Sequence, residues 1–111
     1  MENVERILKT LADKNRLRII GLLAKKKMCV CELAYVLKIS NPAISRHMKK
    51  MKAAGLVESE QEGYWTNYCL TPSRNIQFIL REIGGWLKKD TLILADKRRA
   101  RNAKRRNLCC R

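Results

Sequence analysis

A chain of 111 residues has room for one compact domain and a tail, so its length excludes a multidomain enzyme. Its 25 Lys+Arg against 10 Asp+Glu give a formal charge of +15, which directs attention to anionic partners, while 46% hydrophobic residues still allow a real core. Residues 1–96 hold 17 Lys+Arg and all 10 acids, and residues 97–111 hold 8 Lys+Arg and none, so the expected division is a folded domain over 1–96 and a basic, cysteine-containing flexible tail over 97–111. The opening residues lack a signal-peptide pattern and no apolar run is long enough to span a bilayer, so a cytoplasmic protein with no membrane partner is expected. Five cysteines, an odd number without an export signal, point to reduced thiols rather than a disulfide framework.

Val4, Ile7, Leu8 and Leu11 recur at helical spacing, predicting a helix over residues 2–12. Leu17, Ile20 and Leu23, thickened by Ile19 and Leu22, make a second helix that ends in the cationic run 24–27, and both helices are read as core builders. Residues 31–38 form a short third helix, and Ile39-Ser40-Asn41-Pro42 is a tight turn that starts a fourth. Ile44, Met48 and Met51 line one face of that helix, cations crowd the rest, and Gly55 ends it.

Residues 56–60 and 64–70 alternate with period two about a turn at Glu62-Gly63, which predicts a short β-hairpin. After the break at 71–73, one apolar helical stripe runs from Ile76 into 92–94, with Gly84-Gly85 as its weak point. The fold class expected is mainly α with a β-hairpin wing, a winged helix-turn-helix. In that arrangement Asn41, Ser45 and Arg46 reach base edges, and Lys49, Lys50 and Lys52 reach phosphates of double-stranded DNA. An ordinary solvated basic face is the competing reading of the same residues.

The segments LADKNRLRIIGLL, CVCELAYVLKISNPAISRHMKKMKAAGLV and EGYWTNYCL resemble the ArsR/SmtB family of winged-helix metal-responsive repressors over residues 5 to 90. The resemblance implies a homodimer held by the first and last helices, bound to its operator when metal-free and released when metal binds. It also implies that Ser40 to Lys52, with Pro42 and His47 among them, lie in the major groove. Wings of this family carry Arg or Lys near the tip, whereas this hairpin carries Glu58, Glu60 and Glu62.

Cys29-Val30-Cys31-Glu32-Leu33 resembles the CVC(D/E)L box of arsenic- and cadmium-type members. On a regular helix residues i and i+2 point about 200° apart, so Cys29 and Cys31 chelate one ion only where the helix start is unwound. A helix N-terminus favours the thiolate that soft ions require. The expected inducer is As(III) or Sb(III), with Cd(II) or Pb(II) ranked behind them, and no cofactor is expected for DNA binding itself. Arsenic-type members often supply a third cysteine where this chain has Ala34, so Cys109 or Cys110 is the expected third ligand, and Cys69 is read as wing packing.

The last helix lacks the Asp/His and His/Glu pairs of zinc-type members, and Asp90 and Asp96 are read as a solvated face. One histidine and five glycines in no phosphate-binding pattern exclude catalysis as far as residue types can. Two further readings stand beside the metal-released repressor. One is a redox-responsive repressor using Cys29/Cys31 or Cys109/Cys110; the other is a constitutive basic nucleic-acid-binding protein, for which six aromatics make a poor stacking platform.

Overall fold

The computed structural model describes residues 2–103. Six helices and three strands follow in the order α1 (Glu2–Leu11), α2 (Lys14–Leu23), β1 (Met28–Cys29), α3 (Val30–Leu37), α4 (Asn41–Ala53), β2 (Val57–Glu62), β3 (Trp65–Leu70), α5 (Arg74–Trp86) and α6 (Thr91–Arg101). The fold is a winged helix-turn-helix, mainly α with a hairpin wing, as the sequence predicts. No helix among the described residues is long and apolar enough to cross a membrane.

Local chemistry explains each boundary that positions α3 and α4. Lys38 caps α3 in the left-handed conformation (φ 59), turning the chain sharply toward α4. The Ser40 hydroxyl then accepts the backbone N–H of Ala43 at 3.3 Å, with Pro42 in the first turn, where its missing N–H costs nothing. At the other end Gly55 (φ 79) donates to Lys52 O and Leu56 N–H reaches back to Met51 O at 2.9 Å, the paired bonds of a Schellman cap. Ile44, Met48 and Met51 are fully buried beneath α4 against Leu33, Val36 and Leu56, so the apolar back of the helix fixes which face remains open.

The wing differs from expectation by one residue at its turn. Glu62 pairs with Trp65, so the two-residue loop is Gly63-Tyr64, with Gly63 at φ 60 supplying the positive angle such tight hairpins need. A third strand joins it: Met28 pairs with Tyr68 and Cys29 with Asn67, giving the order β1-β3-β2. Two residues carry no alternation to read, and the pairing is long-range in sequence.

The helices outside the recognition unit differ from expectation. The C-terminal stripe is two helices, and the break lies at 87–90 rather than at Gly84-Gly85, which stay helical. Asp90 makes that break, because its carboxylate accepts the N–H groups of Leu92 and Ile93 as the N-cap of α6, so it is no idle surface charge. Asp96 is 1% exposed and forms a bidentate pair with Arg18 of α2 through two 2.9 Å bonds. Helix α6 continues past Asp96 to Arg101, and Ala100 and Ala103 join the core. The first helix, finally, buries Leu11 but leaves Val4 and Leu8 each 56% exposed, so α1 contributes less to this core than its stripe suggests.

Candidate nucleic-acid interface

Helix α4 presents Asn41, Pro42, Ser45, Arg46, Lys49, Lys50 and Lys52 on its exposed side, with Ser40 at its N-cap. The residues singled out from sequence therefore share one helix and one open face. His47 is half-buried: its Nδ1 accepts the Arg16 Nε–H of α2 at 3.1 Å. Arg16 was not singled out by sequence reasoning. It also donates from Nη1 to Thr10 O at 3.2 Å, and its backbone N–H donates to the Asp13 carboxylate at 3.1 Å, so it ties the α1–α2 junction to α4. Lys52 Nζ donates to Ser59 Oγ at 2.8 Å and joins the far end of α4 to the wing.

These contacts set the local electrostatics. Burial holds His47 below its ordinary value of 6.5; nearby Asp13 opposes the shift, and Arg16, Lys50 and Arg46 reinforce it. For Asp13, burial works upward, but the Arg16 backbone N–H, the Arg16 charge and His47 outweigh it and hold the carboxyl below 3.8. The acidic wing is partly neutralised, since Lys27 forms an ion pair with Glu60. Glu62 accepts from Asn67 Nδ2 at 2.6 Å, and its charge adds to that of Glu60 in holding Lys27 above its ordinary value of 10.5.

Cys31 borders this interface. Cys29 is the N-cap of α3, buried and extended (φ −92, ψ 172), and its backbone N–H donates to the Glu32 carboxylate at 2.9 Å. It therefore stands off the helical path that Cys31, the second residue of α3, follows, so the regular-helix rule for i and i+2 does not govern this pair. Asn41 Nδ2, at the start of α4, approaches Cys31 Sγ at 3.9 Å. Cys69 is a half-buried free thiol opposite Glu58. Among the described residues no group of three or more His, Cys, Asp or Glu is placed to hold a metal ion. Cys109 and Cys110 lie outside the described residues.

A winged helix with this face defines a DNA-binding transcription regulator. Residues 13–59 match the family model described as "Bacterial regulatory protein, arsR family". The chain is 35% identical over 97 residues to the arsenic resistance transcriptional regulator ArsR1 of Pseudomonas putida, covering 81% of this chain and 76% of that one. It is 32% identical over 92 residues to the cadmium resistance transcriptional regulatory protein CadC of Listeria innocua, covering 81% and 75%. The homodimeric winged helix-turn-helix DNA-binding domain of Mb0332 from Mycobacterium bovis superposes with a TM-score of 0.71 at 24% identity, covering 81% and 82%, a likeness of fold. The chain belongs to the ArsR family of bacterial regulatory proteins, and it is a transcription regulator rather than an enzyme.

Proposed function

We propose that this protein is a homodimeric repressor that binds a two-fold symmetric operator and is released by a thiophilic ion, As(III) or Sb(III) first, held by Cys29 and Cys31. The observation that carries this reading is the approach of Asn41 to Cys31: the candidate ligand touches the first residue of the candidate recognition helix. An ion binding between Cys29 and Cys31 of the reduced protein pulls on the start of α3 and on Asn41 together. It then shifts the population away from the DNA-competent form by its difference in affinity for the two forms. The named activities of the arsenic- and cadmium-resistance relatives support a thiophilic inducer.

Ser40, Asn41, Pro42, Ser45, Arg46 and His47 sit at the end of α4 that enters the major groove in this reading, and Lys49 and Lys50 follow the phosphates. Dimerisation is supported by Val4 and Leu8 on α1 and Phe78 and Trp86 on α5, large apolar side chains left open in the single chain. The third thiolate is assigned to Cys109 or Cys110. X-ray absorption of the arsenite complex of the reduced chain tests the ligand set. Three sulfurs that fall to two when Cys109 and Cys110 are both changed to Ser support it, and three that survive that change transfer the assignment to Cys69.

The same approach of Asn41 to Cys31 supports one second reading, a repressor switched by oxidation of that cysteine. Peroxide and arsenite applied separately to the reduced operator complex discriminate the two.

A further inference from the structure

Helices α2, α5 and α6 enclose a groove of about 460 Å³ that DNA binding and the cysteines leave unused. Its floor is apolar, with Leu17, Ile20, Ile83 and Ile93 among its lining, and its charged lining residues are Lys25, Arg81 and Lys97. No acid lines it. A second hollow of about 390 Å³ shares Lys25 and Lys97 and continues over Leu22 and Met28 with Lys26 and Arg101 at its edge. Volumes of roughly 300–1,000 Å³ with apolar walls and a few convergent polar groups are those of small-molecule sites.

Two glycines shape the opening. A Cβ on Gly21 would meet Ile93 at 3.6 Å, so α2 and α6 are close there, whereas a Cβ on Gly84 would meet nothing within 4 Å. Gly84 thus leaves open, on α5, space that any other residue would enter. The groove also faces away from the exposed aromatic side of that helix, because Leu80 points about 160° from Phe78.

We propose that this groove binds an amphiphilic organic anion, a linear apolar body carrying one carboxylate. The body displaces water from Ile20, Ile83 and Ile93, and the head rests among Lys25, Lys97 and Arg81, where charge complementarity favours an anion over an alcohol or a cation of equal length. This inference is independent of the ion-binding cysteines.

Methyl NMR titration of the full chain with decanoate, decan-1-ol and decyltrimethylammonium, all below their micelle-forming concentrations, tests it. Decanoate should saturate one site, shift the methyls of Ile20, Ile83 and Ile93, and bind about tenfold or more tightly than the ammonium. The Lys25→Gln, Lys97→Gln double variant should weaken decanoate by about tenfold and leave decan-1-ol unchanged. Gly84→Leu, which adds a helix-favouring side chain where space is open, should keep the fold by circular dichroism and abolish decanoate binding. Equal affinity for the ammonium, or unchanged binding in Gly84→Leu, overturns the proposal. A change of oligomeric state in Gly84→Leu also overturns it, by showing that a second copy fills the groove.

Discussion

Arg16 Nε donates to His47 Nδ1 across the α2–α4 boundary at 3.1 Å, so the histidine in the middle of α4 acts as an acceptor. That bond requires an unprotonated Nδ1, and burial already holds His47 below 6.5. Below pH 6.5 the unfolded chain takes up a proton that the folded chain resists. Stability is therefore full above 6.5 and falls as pH drops through the lowered folded value. His47→Gln keeps an acceptor without the titration, and thermal unfolding between pH 7.5 and 5.5 should fall less steeply in that variant. An equal fall in both proteins contradicts the assignment. Asp13 adds a separate loss, confined to pH below 3.8, where its own lowered carboxyl is protonated.

Arg18 and Asp96 anchor α6 to α2 with side chains 12% and 1% exposed. Removing one partner strands the other charge, which costs about 3–5 kcal/mol in comparable buried pairs. Asp96→Ala should show a loss of that order in urea unfolding, whereas Arg18→Met with Asp96→Leu should recover most of it. A loss below about 1 kcal/mol in Asp96→Ala would place this pair with weak surface bridges instead.

On α4, Arg46→Ala should relax base preference, while Lys49→Ala should weaken all DNA sequences alike and reduce the salt slope by about one. Ser40→Ala should cost about 1 kcal/mol of stability through its cap, with Ser40→Asp retaining it. Fluorescence anisotropy on operator and random duplexes across a salt series separates base readout from phosphate contact. The same loss on both duplexes for Arg46→Ala would remove it from base readout.

The buried positions of Ala100 and Ala103 decide where the basic tail can be cut without damaging the fold. Truncation after Ala103 removes Lys104, Arg105, Arg106 and Arg111 and spares the Arg18–Asp96 pair. The slope of log K against log salt should flatten while operator preference stays, and an unchanged slope shows that these cations do not contact DNA.

The recognition helix was legible because its signals are local: Ser40 and Pro42 at its start, Gly55 at its end, and Ile44, Met48 and Met51 at helical spacing. The two-residue strand at Met28–Cys29 was not legible, since its pairing with β3 is settled only when residues far apart in sequence meet. Asp96 looked like a surface charge because its partner, Arg18, is 78 residues away, and Arg16 escaped notice for the same reason. The stripe across 76–94 misplaced the helix break because Gly84-Gly85 can remain helical, whereas the cap at Asp90 starts a new helix.

Release of a labelled operator by arsenite, followed by anisotropy with reduced protein, tests the central claim most directly. The unaltered protein should dissociate as arsenite is added, and the Cys29→Ser, Cys31→Ser double variant should bind the operator equally well and stay bound. Release of the double variant at the same arsenite concentration would contradict the inducer site.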